Sequence, residues 1–512
     1  MGKLKRNSNQ KCGLLKQNKK YNLMVSWKFI YMIFLVSLCT FGLTQKGHSQ
    51  NSVAETTLNL YRDLNKTLTS GLKFMDTTQL LQTISYKSYR GEWQTTMGLQ
   101  RGFFLLGRKK KADDSNCFSV ASIHNSLAQI YLVFPEYKNI PNMLELSFEK
   151  IMTYKNGVQF NFWNLLPPNR KLKKGDIIGN QPLVRRPTNY KLKTKYINNA
   201  ANIIEDSDDT GLAYTALALR KKIYKMDNKI DSVNFEINAI APIFEKYRDI
   251  KRNNRHWYNY LYGNDRETGA YLTWLGEEYQ FKHWNIIKVI AHNATFFLPF
   301  SECFPHAYNP YLPYGSNDLD GVVNANILST LALYGELNST GVESVIKYIE
   351  KKSAAKKYDR VGIYYPNRYQ FPYAVSEAYA NGVNKLENSS HYITEYLICK
   401  QNEDGSWFSR PSINKKDILQ STAYALNALI NFGNFEQNKT LIPIEKAIQF
   451  ILKQSIQDEN GIHWKGGVFF SGGTVVRKTL FWKSDAYTTA IILKAFANYR
   501  KYLELKYNLT SQ

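Results

Sequence analysis

The chain has 512 residues, 44% of them hydrophobic and 21% charged, with a formal net charge of +25. That is an ordinary globular balance, long enough for one large core or two domains. A basic body points to an anionic neighbour such as a membrane surface, an acidic glycan or nucleic acid. With no Cys/His finger, RNA-reading signature or basic-region zipper in the sequence, nucleic acid is not expected.

Residues 1–28 hold eight Lys or Arg and no acid. An apolar run follows from Phe29 to Leu43, then polar Thr44 to Ser52. This order predicts a signal peptide or short signal anchor over residues 29–45, with 1–28 as its basic cytoplasmic flank. The body would be exported or membrane-anchored, outside the cytoplasm. Cys12 and Cys39 fall in this region, and Cys117, Cys303 and Cys399 make no Cys-x-x-Cys pair. The body therefore has at most one disulfide, and structural zinc is not expected.

Across residues 53–510 one pattern recurs: a polar cap, then small and apolar residues at helical spacing. Asp113-Asp114-Ser115 precedes a run to Tyr131. Asp206-Ser207-Asp208-Asp209-Thr210 precedes a run to Leu219. Asn317-Asp318-Leu319-Asp320 precedes a run to Tyr334. Ser421-Thr422-Ala423-Tyr424 and Ser484-Asp485-Ala486-Tyr487 open two more, and Glu267 to Tyr271 and Pro372 to Val375 are weaker copies. Leu212, Ala216 and Leu219 share a face, as do Val323, Ile327 and Leu331. Small residues on nearly every side predict inner helices packed all round. The more polar stretches 343–352 and 442–453 predict outer helices. Later copies recur about every 50–60 residues, which describes an all-α toroid whose cap ends meet at one rim around a cavity. Residues 154–166 read as a hairpin, and residues 167–200 as a long loop over the rim.

Asp206, Asp208 and Asp209 crowd one helix start. Like charges that close cannot all ionise, so one keeps its proton near neutral pH. Such an acid can protonate a weak base. Asp and Thr are also ordinary helix caps, and on these residues alone both readings stand.

Two segments resemble the terpenoid cyclase and protein-prenyltransferase superfamily. Asp206-Ser207-Asp208-Asp209-Thr210 resembles the acid motif of class II cyclases such as squalene–hopene cyclase. Gln401 to Trp407, with Leu397 upstream, resembles the Gln…Gly-x-Trp repeat of those enzymes, with a degenerate copy at Gln454, Gly461 and Trp464 and a fragment at Gly91-Glu92-Trp93. The resemblance implies an α/α toroid in which Asp208 protonates an alkene while Asp206 and Asp209 tune it. It also implies that Gln401, Gly405 and Trp407 are structural. Aromatic faces would stabilise the carbocation, with Tyr214, Trp274, Tyr424, Trp482 and Tyr487 as candidate liners. Asp318, Asp320 and Asp485 would join them at the cavity. The zinc set of the prenyltransferase branch is not matched, because Tyr487 stands where its Cys would be. Gly321 and Ala325 likewise break the class I metal motif. No metal and no cofactor are expected. The partner implied is an apolar substrate, in or at a membrane.

Two other readings stay open. One is an exported toroid acting on a polysaccharide, with Asp208 or Asp209 facing Asp318 or Asp320. The other is a binding toroid in which the acids only cap helices.

Overall fold

The computed structural model describes residues 55, 57–84, 88–99, 111–166, 183–187, 203–231, 237–251, 265, 267–276, 319–409, 417–433, 438–472 and 480–509. The expected signal region and most of the expected rim loop lie outside them. Among the described residues no helix is long and apolar enough to cross a membrane. The chain divides into two units, Met1–Lys66 and Thr67–Gln512. In the first, residues 57–66 are helical. Everything below concerns the second.

Six inner helices appear among the described residues: α1 (Cys117–Val133), α3 (Ser207–Met226), α4 (Gly321–Leu333), α6 (Gln370–Ala380), α8 (Ile418–Asn431) and α10 (Asp485–Tyr507). Each packs on the next, and α10 packs back on α1, so the ring closes. Early turns meet early turns, as where Gln370 reaches Tyr487, and late turns meet late, as where Asn431 reaches Ser376. The helices are therefore parallel, with their N-termini at one rim. Outer helices among the described residues include α2 (Ile140–Met152), α5 (Val342–Ala355), α7 (Glu387–Lys400) and α9 (Asn438–Lys453).

Local chemistry starts these helices. Asn116, Asp206, Asp320 and Ser484 each sit in extended backbone and accept hydrogen bonds from amides of the first turn. Those amides have no helical partner, so each cap satisfies donors that burial would otherwise orphan. The weaker copy at Glu267 to Tyr271 does not start a helix. It is irregular chain, with Tyr271 bridged to Arg248 and, beyond it, Trp274 to Asp206.

The outer repeat is a tie between units. Gln401 Nε2 donates to Gly405 O (3.0 Å) and to Pro443 O on α9 (2.8 Å). Gln79 does the same to Gly91 O (3.1 Å) and Met143 O on α2 (2.9 Å). Gly405 has φ 89°, and a Cβ there would lie 2.4 Å from Lys446 O, so only glycine fits. Trp93, Trp407 and Trp464 are fully buried, and each indole N–H donates to a backbone carbonyl of an earlier helix.

The all-α expectation needs one correction. A four-stranded antiparallel sheet of order β2-β1-β10-β9 joins β1 (Thr96–Leu99), β2 (Lys111–Asp113), β9 (Val468–Ser471) and β10 (Leu480–Lys483). Leu480-Phe481-Trp482 is a short apolar run, which by pattern alone cannot be told from buried helix. The expected hairpin is present as β3 (Lys155–Asn156) and β4 (Gln159–Phe160). Further two-stranded ladders pair β5 (Leu165–Leu166) with β6 (Val184–Arg185), and β7 (Ile456–Asp458) with β8 (Gly461–His463).

Candidate functional site

The three acids sit at the head of α3 and are all buried. Among the described residues none pairs with a Lys or Arg. Asp206 is the cap: its Oδ1 accepts from the amides of Asp208 (3.0 Å) and Asp209 (2.8 Å). Burial pushes it up to about 6 against those bonds. Asp209 is held well above the usual carboxylate range, first by burial and then by Asp206, to which it is hydrogen-bonded. The Cys117 thiol also bonds Asp209, and burial raises the thiol too.

Asp208 stands apart from that pair. Its Oδ1 accepts from Asn326 Nδ2 of α4 (2.8 Å), and its Oδ2 accepts a short hydrogen bond from Tyr365 Oη. Burial pushes Asp208 up to about 7, while the two donors pull the other way. Desolvation thus favours the protonated acid, while the two fixed donors favour the carboxylate.

Aromatic rings close around Tyr365. Phe118 of α1 and Phe470 of β9 lie 5.8 and 5.7 Å from it, centroid to centroid. Phe469 and Tyr487 are 4.4 Å apart, and Phe118 touches both. The unexpected sheet therefore supplies part of the wall beside the acid.

Inside the ring a cavity of about 70 Å³ is lined by residues of α1, α3, α4, α6 and α10. Asn326, Phe118 and Tyr487 line it near the acid. Farther along are Gln129, Glu377, Asn381 and Lys494. Glu377 and Lys494 form a buried ion pair at 2.7 Å. Glu377 lies seven residues beyond the start of α6, hence about 10 Å deeper along the axis.

The remaining sequence candidates separate. Tyr487 lines the cavity, and Tyr424 stands behind it with its hydroxyl 3.0 Å from that of Tyr487. Trp274 Nε1 donates to Tyr364 Oη (3.0 Å), and Trp482 Nε1 donates to Asp114 Oδ2 (2.7 Å), so both indoles serve the aromatic shell. Tyr214 points elsewhere, donating to Val158 O (2.8 Å) and packing edge-on to Phe160. Asp320 spends both oxygens on backbone amides: Oδ1 caps α4, and Oδ2 accepts from Ile363 and Tyr364. Asp485 bonds the Gly466 amide (2.8 Å) and pairs with Lys465 (2.8 Å). Asp318 lies outside the described residues. Thr210 proves to be scaffold, its Oγ1 accepting from Phe160 N (3.0 Å) as Thr422 does from Trp407 N (3.1 Å).

Sequence reasoning missed Tyr365, Asn326, Phe118 and the Glu377–Lys494 pair. Lys494 had a readable signal, a lone cation inside the apolar run 490–497. Tyr365 had none, because its partner is 157 positions away.

No family model and no curated protein matches this sequence. Solved structures do. The chain is similar to a variant of type II terpene cyclase MstE from Scytonema, in complex with its substrate geranylgeranyl dihydroxybenzoate. Identity is 12%, with a TM-score of 0.50, over 87% of this chain and 99% of that one. That likeness shows the α/α-toroid fold. Cellobiose 2-epimerase from Spirochaeta thermophila is similar at 12% identity and a TM-score of 0.46, covering 88% of this chain and 98% of that one. The ent-copalyl diphosphate synthase from Streptomyces platensis follows at 11% identity and 0.38, covering 75% of this chain and 50% of that one.

Proposed function

We propose that this protein is a class II terpene-cyclase-like enzyme in which Asp208 starts the cyclisation of an isoprenoid by protonation. The supporting observation is the setting of Asp208: buried, beside Tyr365 of an aromatic cluster, and held by two donors with no Lys or Arg paired to it among the described residues. In the step, the Asp208 proton bonds to one alkene carbon as the π bond breaks, leaving a tertiary cation. The carboxylate left behind is stabilised by Tyr365 Oη and Asn326 Nδ2. Phe118, Tyr487 and Phe469 present ring faces to positive charge, each worth about 2 kcal/mol when desolvated. Loss of a proton from the final cation balances the reaction as an isomerisation. Asp206 and Asp209 act through the helix start that holds Asp208.

The cavity of about 70 Å³ is far below the roughly 300–1,000 Å³ of ordinary ligand pockets. Binding of a polyene therefore requires the Phe118 and Tyr487 rings to swing aside. For the polysaccharide reading, both oxygens of Asp320 are taken up by backbone amides, and Asp318 lies outside the described residues. For location, we propose export or anchoring through residues 29–45, which brings the body to a membrane-dissolved substrate. The support is the basic, apolar, polar order of residues 1–52.

The test is Asp208→Asn assayed with polyprenyl substrates in detergent. Cyclised product should vanish, a loss of at least about a thousandfold, with the circular dichroism spectrum unchanged. Undiminished turnover would reject the assignment.

A further inference from the structure

The cavity has a rim end and a far end. Asn326, which donates to Asp208, lines it near the rim. Glu377 lines it about 10 Å deeper along the axis of α6. The packing order α1-α3-α4-α6-α8-α10 sets α1 and α6 across the ring from each other. Gln129 Nε2 of α1 nevertheless donates to Glu377 Oε2 (3.3 Å). That bond therefore crosses the ring at the far end of the cavity.

Glu377 is the one carboxylate among the described residues that line this space, and no histidine joins it there. Its Oε1 takes Lys494 Nζ (2.7 Å) and the Asn431 side-chain amide, and its Oε2 takes Gln129. A carboxylate offers about four acceptor sites, so among the described residues Oε2 keeps one for a further donor. Lys494 is buried and also donates to Tyr373 Oη (2.8 Å). As the anion of this pair, Glu377 presents lone pairs to the cavity. The ammonium has none, and the amide and hydroxyl oxygens around it are far weaker bases.

Protonation at Asp208 sets a direction. Each ring closure uses the electrons of the next alkene and moves the positive charge farther along the chain, away from the acid. A polyene lying along the cavity would bring its last cation toward Glu377. We propose that Glu377 is the base that ends the cyclisation. This rests on the cyclase reading above and assigns a group which that reading leaves open. In the step, Glu377 Oε2 takes a proton from a carbon next to the cationic carbon. The C–H bond breaks, its electron pair becomes the new alkene π bond, and an O–H bond forms on Glu377. After product release, Glu377 gives its proton to water and Asp208 regains one, so nothing is consumed. Gln129, Asn431 and Lys494 are positioning residues that fix the carboxylate. The product is an alkene and not an alcohol.

The experiment incubates the full-length protein in detergent and heavy water with squalene, geranylgeraniol or geranylgeranyl diphosphate. Products and recovered substrate are read by mass spectrometry and NMR. The parent should convert at least one probe to a cyclic alkene carrying deuterium delivered by Asp208. The double variant Glu377→Gln, Lys494→Met leaves no unpaired charge. It should form that alkene at least about a hundredfold more slowly. Its cation should instead be trapped by water or return to substrate, which then gains deuterium. Undiminished formation of the same alkene by the double variant overturns the proposal and leaves the cyclase reading standing. So does a folded double variant that yields neither product nor deuterated substrate. A parent product that has gained water also overturns it, and that result needs no variant, so a misfolded one does not spare the proposal. Turnover of none of the three probes by the parent overturns both readings.

Discussion

Burial raises the Asp208 carboxyl against two hydrogen bonds, and that balance can be moved one atom at a time. With its carboxyl pushed up to about 7, protonation-dependent turnover should be flat below pH 7 and fall about tenfold per unit above it. Tyr365→Phe removes a donor that favours the charged form. The limb should then move to higher pH while kcat drops, because the departing charge loses a partner. A limb that stays put or moves toward acid would contradict the role given to Tyr365. The same shift has a stability sign. The folded carboxyl sits above its unfolded value near 3.8, so this contribution is full below about pH 4 and is lost as pH rises through about 7. Its size is on the order of a few kcal/mol. Thermal melts of Asp208→Asn should show a shallower decline between pH 4 and 8 than the parent, a difference that scanning calorimetry would read.

At the scale of the element, the acid motif is half chemistry and half carpentry. Asp206 caps α3, and Thr210 accepts the Phe160 amide, so only part of the five-residue segment is free to react. Thr210→Val keeps the shape and orphans that amide. It should cost about 1–3 kcal/mol in a urea melt, with activity per folded molecule kept. The outer repeat obeys the same logic. Gly405→Ala would force a Cβ against Lys446 O in left-handed backbone and should cost about 1–3 kcal/mol. Loss of turnover without loss of stability in either variant would mean the assignments are reversed. The first strand of the sheet, by contrast, has one partner nearby in β2 and the other 387 positions on, pairing Thr96 with Lys483. No local pattern announces such a strand.

Across the whole ring, closure depends on α10 meeting α1, and its interior depends on one ion pair. Lys494→Met would strand a buried Glu377 and should cost about 3–5 kcal/mol. The double variant Glu377→Gln, Lys494→Met should recover most of that in equilibrium denaturation. Equal losses in single and double variants would show the pair is not coupled.

Helix starts, inner and outer character and the toroid were legible because they rest on short-range rules. A cap bonds amides two or three residues on, and a buried helix shows small residues on every face. The expected signal over 29–45 belongs to this same local class. What only the tertiary structure decided is what surrounds Asp208. Asn326 and Tyr365 meet Asp208 across 118 and 157 positions, and the aromatic wall draws on a sheet whose strands lie at opposite ends of the unit. Desolvation, the main cause that raises Asp208, is a property of everything packed around a group, and one stretch of chain does not contain it.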